Sequence, residues 1–297
     1  MPALPVCVVG GGAAGLMAAL SAAQHGAQVT LLEGTSRLGT KILMSGGTRC
    51  NVTHDVVLPA DYHGGSRHVV ARLLREFSHL DTVRFFEEDL RVPLKREETG
   101  KLFPRSDDAQ EVVDALVRRA QELGVAILSG RRVTAVERSS STDGYVLTTE
   151  AGPLRVARLI LTTGGLSFPR TGSDGTGYTL VQALGHSIVR TSPALTPLVA
   201  RSGGMHERLR GVTVPVELTV LVGENRKKFW QGAGSFLFTH FGYSGPVALD
   251  ASRHVVREGW EAPVRVLANF VAGRSEEECA RSILDDATRE PRRTVSG

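Results

Sequence analysis

An α/β fold built on a parallel sheet is what this sequence predicts, and three observations carry the prediction. The chain opens on an apolar run, Val6 to Val9, then a triple glycine at Gly10, Gly11 and Gly12, then a stretch of small residues from Ala13 to Gln24. A second apolar run, Val29 to Leu32, ends on Glu33. Further on, short β-branched runs flank a helical pattern between Ala109 and Leu123. Strands alternating with helices favour parallel pairing, because a crossover must return the chain to the same end of the sheet.

Val6 to Val9 reads as a buried strand, Ala13 to Gln24 as a small-residue helix ending at Gly26, and Val29 to Leu32 as the next strand. Gly39 to Thr53 is polar, glycine-rich and without periodicity, which predicts a loop. Ala109, Val112, Val113, Leu116, Val117, Ala120 and Leu123 recur at spacings of three and four, which predicts an amphipathic helix. Asp107 with Gln110 supplies its N-terminal cap and Gly124 its stop. Strands are predicted at Val125 to Leu128, Val133 to Arg138, Tyr145 to Thr149 and Leu154 to Thr162, with Asp143-Gly144 marking a hairpin turn. They read as a small β-meander feeding back into the parallel sheet.

Beyond Pro193 the texture changes, with Pro193 and Pro197 followed by β-branched runs such as Val212 to Val222. The expected domains are therefore 1–192, Rossmann-type, and 193–297, β-rich. Ser275 with Glu278 forms a capping box for a last helix whose apolar side carries Cys279, Ile283 and Ala287 and which Pro291 ends.

With 297 residues, 41% hydrophobic and 22% charged, the chain has ordinary globular composition, not that of a disordered one. Its formal charge of +4 is spread along the sequence without a concentrated Lys/Arg stripe, which argues against a nucleic-acid partner. Cys7, Cys50 and Cys279 form neither a disulfide framework nor a metal-ligand spacing, so no metal is expected and a reducing, cytoplasmic setting is the default. The small and apolar run from Val6 to Ala23 is neither a signal peptide nor a membrane span, because the glycines interrupt it and no cationic segment precedes it. Oligomeric state leaves no signature in the sequence.

Gly10-Gly11-Gly12-Ala13-Ala14-Gly15 satisfies GxGxxG between a strand and a helix, and Glu33 ends the second strand where a ribose-binding acid is expected. The motif predicts that Gly10 makes the tight turn, Gly12 admits a diphosphate and Gly15 lets helix and strand pack closely. The helix N-terminus offers unpaired N–H groups and positive dipole to the diphosphate. Glu33 accepts from ribose hydroxyls and repels a 2′-phosphate, so FAD or NAD is expected rather than NADP. Only one such motif is present, so NAD(P)H would visit transiently rather than occupy a second domain of this type.

Four further segments carry a family resemblance. Gly39-Thr40-Lys41-Ile42-Leu43-Met44-Ser45-Gly46-Gly47-Thr48-Arg49-Cys50-Asn51-Val52-Thr53 is close to the form GxKxxxSGGGRCNxT. Phe103-Pro104-Arg105-Ser106 matches FPxS. The third segment runs from Thr163 through Gly164-Gly165-Leu166-Ser167-Phe168-Pro169, Gly172-Ser173 and Gly177-Tyr178 to Leu184-Gly185-His186. The fourth is Leu237-Phe238-Thr239-His240-Phe241-Gly242-Tyr243-Ser244-Gly245-Pro246. In this order, across nearly the whole chain, they resemble the YhiN-like or BaiN-like family of bacterial flavoproteins.

The resemblance implies FAD as cofactor and a flavin domain of the glutathione-reductase type, interrupted by an inserted domain that helps cover the active site. Lys41, Arg49 and Asn51 are then expected at the flavin's diphosphate or ring edge, with Gly46, Gly47, Val133, Thr163, Gly164 and Gly165 as further cofactor contacts. Cys50 belongs to the same loop, although no resolving cysteine is near and a packed thiol is the simpler reading. Tyr178, His240 and Tyr243 are the candidate proton donors, since hydride delivery to an organic acceptor also requires a proton. Two departures stand out: Thr48 occupies a position where many relatives have glycine, and Ser173-Asp174-Gly175-Thr176-Gly177 replaces a usual STGDG order.

Relatives continue past residue 297 to finish the flavin site, so both expected domains are incomplete here. Nanomolar retention of a cofactor needs roughly 12 kcal/mol, whereas a helix terminus supplies only about 0.3 to 2 kcal/mol. Weakened flavin binding is therefore expected of the chain alone. The chemistry implied is hydride transfer among NAD(P)H, flavin and an organic acceptor, with an activated double bond as substrate class by analogy. A flavoprotein acting on RNA and a non-catalytic nucleotide-binding remnant are the alternatives.

Overall fold

The opening run folds as the sequence predicts, into Val6–Val9 (β1), Ala13–Gln24 (α1) and Val29–Leu32 (β2), in a computed structural model that describes residues 5–140, 143–271 and 273–290. The chain divides into two units, Met1–Ile188 and Val189–Gly297. In the first unit there follow Thr40–Met44 (α2), Thr53–His54 (β3), Arg67–Glu76 (α3), His79–Arg84 (α4), Leu94–Arg96 (β4), Lys101–Pro104 (β5) and Ala109–Glu122 (α5). Ala126–Leu128 (β6), Val133–Arg138 (β7), Tyr145–Thr149 (β8), Gly152–Val156 (β9), Arg158–Leu161 (β10) and Thr176–Ala183 (α6) complete it.

The main sheet has the order β10-β1-β2-β6 and is parallel throughout. Side chains alternate between its faces. Val8 and Leu31 join Leu16 and Leu20 of α1 and Val112 and Leu116 of α5 in one core. Cys7, Val9 and Leu32 join Val133, Val136, Leu147 and Leu180 in another, supplied by the meander β7-β8-β9 and by α6. Cover on both faces is why these strands are mostly apolar, with Thr30 in β2 and Arg158 at the start of β10 as the polar exceptions. Burial pushes the Cys7 thiol up to about 12, so it remains protonated and inert.

Three local expectations are corrected. The stretch from Gly39 to Thr53 is not all loop: α2 forms because Ile42 is buried in the core shared with α5, and five residues are too few for periodicity to reveal. The cap of α5 is Asp108, which accepts from Gln110 N at 2.8 Å, while Asp107 adopts φ 56° and pairs with Lys95. The run from Leu154 to Thr162 is two strands rather than one, β9 pairing antiparallel with β8 and β10 parallel with β1.

The second unit contains Leu198–Val199 (β11), Met205–Arg208 (α7), Thr213–Val222 (β12), Lys227–Thr239 (β13), Gly242–Ser244 (β14), Pro246–Glu258 (α8), Val264–Asn269 (β15) and Glu276–Arg289 (α9). Its antiparallel sheet has the order β11-β14-β13-β12-β15. Val216, Leu218, Val220, Phe236 and Phe238 pack against Val247, Ala248 and Ala251 of α8. Helix α8 starts with Pro246 at its first position after Gly245 at φ 91°, where a missing N–H costs nothing. Ser275 and Glu278 form the expected capping box of α9. The apolar side of α9 is not buried, with Ile283 59% exposed, and Pro291 lies outside the described residues. Among the described residues no helix is long and apolar enough to cross a membrane.

Candidate dinucleotide-binding site

The carboxyl ends of β1, β2 and β10 open into a crevice, the usual ligand position in such sheets. Gly10 follows β1 at φ 107°, and a Cβ there would lie 2.5 Å from the carbonyl oxygen of Thr162, just past β10. Its N–H donates to the Leu32 carbonyl at 2.8 Å, which ties the turn to the end of β2. Gly12 is the N-cap of α1 and has no side chain to satisfy the first-turn amides, which have no acceptor within the helix. A Cβ on Gly12 would meet nothing within 4 Å, whereas one on Gly15 would collide with the Gly10 carbonyl oxygen. Gly15 is thus required by packing, and Gly12 borders open space.

Glu33 is held in place from three sides. One carboxylate oxygen accepts from Gly11 N at 2.8 Å, the other from Thr35 N at 2.7 Å and Thr35 Oγ1 at 2.9 Å. A carboxylate has about four lone-pair positions, so one remains for a ribose hydroxyl. Lys41 Nζ donates to Ser173 Oγ at 2.7 Å and stands 3.4 Å from Ser167 Oγ. Its charge is thereby fixed against the wall formed by Gly164 and Ser173.

The crevice is lined by Gly10, Gly12, Ala13, Ala14, Glu33, Lys41, Val133, Thr163 and Gly164 among the residues singled out in the sequence. Thr35, Arg131, Arg132, Thr162, Ser173, Asp174 and Thr176 line it as well and were not singled out as ligands. An Asp-x-Thr turn before a helix was the available signal for the last two. Asp174 Oδ1 accepts from Thr176 N at 3.1 Å and Thr176 Oγ1 at 2.7 Å. These bonds, helped by the Arg132 guanidinium, pull its carboxyl down to about 2.

Other expected residues stand outside that lining. Arg49 donates to Glu97 at 2.5 Å, lies 3.5 Å from Asp107 and stacks 4.1 Å above the Phe103 ring. Cys50 is 6% exposed within the core, and burial raises its thiol. Gly46 and Gly47 adopt φ 56° and 68°, and a Cβ on Gly46 would lie 2.8 Å from Asn51 N, so Asn51 packs against the turn. Gly165 faces the Tyr178 hydroxyl, which a Cβ there would approach to 2.9 Å. His240 and Tyr243 belong to the second unit, where His240 packs edge-on to Phe241 at 4.8 Å and Tyr243 stacks on Phe236 at 5.0 Å.

The open space at Gly12, the first-turn amides and the oriented Glu33 fit the diphosphate and ribose of a dinucleotide. The chain is 33% identical over 264 residues to the 3-dehydro-bile acid delta(4,6)-reductase of Clostridium scindens, an alignment covering 87% of this chain and 63% of that protein. It is 32% identical over 250 residues to the ribosomal RNA dihydrouridine synthase of Haemophilus influenzae, covering 83% and 60%. The chain therefore spans about three fifths of the length of these curated relatives. The family described as HI0933-like protein Rossmann domain matches residues 4–274. The resemblance carried by the four sequence motifs is borne out, and this chain belongs to the HI0933-like Rossmann-domain family.

Proposed function

We propose that the crevice binds FAD and that the chain is the nucleotide-binding part of an FAD-dependent oxidoreductase acting on a carbon–carbon double bond conjugated to a carbonyl. The observation that carries the reading is the space beside Gly12, which no protein atom claims, at the N-terminus of α1 and in one crevice with Glu33. Bound there, FAD supplies two-electron hydride exchange. The α1 amides and Lys41 would hold its diphosphate, and Glu33 its ribose hydroxyls. Tyr178, His240 and Tyr243 are the proposed proton donors, and NAD(P)H the proposed reductant.

The names of the relatives support the bond type. A delta(4,6)-reductase and a dihydrouridine synthase both name saturation of a double bond conjugated to a carbonyl. A small organic acceptor is the leading substrate class. RNA is a second reading, favoured by the dihydrouridine synthases of Haemophilus influenzae and Escherichia coli, the latter 31% identical over 249 residues. Equilibrium titration of the full chain with FAD, followed by visible absorbance and flavin fluorescence, tests the cofactor. Saturable binding, weaker than nanomolar, of a flavin that bleaches under NADH or NADPH is expected. A chain that binds neither FAD nor ADP at equilibrium overturns the reading. Reoxidation of the bleached flavin by a cyclic enone but not by uridine-containing RNA is the outcome expected for the acceptor.

A further inference from the structure

An arginine beside the ribose is how related sites accommodate a 2′-phosphate, and here two arginines, Arg131 and Arg132, line the crevice with Glu33. The stem of Arg132 runs next to the residue after Glu33: the Cβ that Gly34 lacks would lie 3.4 Å from Arg132 Cγ. Its guanidinium is engaged by Asp174 and Thr176 of the crevice wall. Nη2 donates to the Asp174 carboxylate and, at 2.9 Å, to Thr176 Oγ1. Asp174 cannot drift, because both the amide and the hydroxyl of Thr176 bind its other oxygen.

We infer that Asp174 is a specificity-setting positioning residue: it holds Arg132 away from the ribose, so that the site takes dinucleotides with a free 2′-hydroxyl and discriminates against 2′-phosphorylated ones. The inference rests on the dinucleotide reading of the crevice. Glu33 repels a 2′-phosphate directly, and Asp174 acts through Arg132 by withdrawing one cation that could compensate. Both partners are little more than one-third exposed, and such a pair contributes little net energy. Its effect lies in where the guanidinium points, since Arg binds phosphate through a fixed fork of donors.

The test compares ADP-ribose with 2′-phospho-ADP-ribose, which differ only in the phosphate, by calorimetric titration of the full chain freed of bound flavin. Wild type is expected to prefer ADP-ribose. Asp174→Asn should shift the affinity ratio toward the phosphorylated ligand by roughly tenfold, about 1.4 kcal/mol, and adding Arg132→Met should abolish the shift. A purely structural role for Asp174 weakens both ligands alike and leaves the ratio unmoved, which overturns the inference, as does a shift that survives in the double variant. Should Asp174→Asn fail to fold, Arg132→Met alone decides. An unchanged wild-type ratio supports the inference, and selective loss of 2′-phospho-ADP-ribose binding overturns it, because Arg132 would then already serve a phosphate. Wild-type protein that binds neither ligand removes the dinucleotide reading itself and the inference with it, which separates the two failures.

Discussion

At the scale of single residues, two glycines of one motif do different work, and substitution separates them. Gly12 has φ −81° and a vacant Cβ position. Gly12→Ala should therefore change stability by less than about 1 kcal/mol, the cost of a poorer cap, while weakening FAD binding by on the order of tenfold or more. Gly15→Ala drives a methyl into the Gly10 carbonyl and should destabilise the fold by about 1 to 3 kcal/mol. Thermal melting alongside flavin titration checks both; equal losses of stability would refute the division of labour. Thr48 offers the opposite case, a β-branched residue at φ 71°, where L side chains are strained by about 1 to 2 kcal/mol. Thr48→Gly should stabilise the protein by about 0.5 to 1 kcal/mol after the extra freedom of glycine in the unfolded chain is subtracted, read as a rise in melting temperature.

At the scale of elements, the boundaries of β1, α1 and β2 were legible because small residues, an apolar run and glycines coincide with no competing pattern. The cap of α5 was legible only to within one residue, since Asp107 and Asp108 are adjacent and backbone conformation decides between them. Asp108→Ala should cost about 0.5 to 2 kcal/mol as a lost cap, measured by urea unfolding. Helix α8 was missed although Gly245-Pro246 announces its start, because its buried residues are the small Val247, Ala248, Ala251 and Ser252. The crevice itself was half legible. Gly10, Gly12 and Glu33 follow from local spacing, but Arg132 and Asp174 meet across 42 residues of sequence, and no local pattern encodes such a pairing. Arg49 stands outside the crevice lining, its guanidinium engaged by Glu97 and the Phe103 ring, contacts that the donor-rich loop did not announce in sequence.

At the scale of the whole molecule, acid stability follows from carboxylates engaged in the folded state. Asp174 falls from 3.8 to about 2 through Thr176 and Arg132, and Asp55, Asp81 and Asp107 are lowered by Arg96, Ser78 and Lys95 respectively. Below the unfolded value the unfolded chain binds more protons than the native one, so stability rises with pH through this window. The contribution of Asp174 is complete above about pH 4 and is lost as pH falls through about 2. Urea midpoints measured from pH 5 to pH 2 should decline, and Asp174→Asn should flatten part of that decline; identical slopes would show that the pairing does not persist in solution. The hydrogen bond from Thr162 Oγ1 to the Val9 carbonyl spans 153 residues, which has a bearing on biosynthesis. A nascent chain still lacking Thr162 has its glycine turn but no opposing wall, so cofactor cannot assist the earliest folding on the ribosome. Parallel pairing over such a separation is slow to close, and until it closes β1 presents an unpaired edge that chaperones or neighbouring chains can engage.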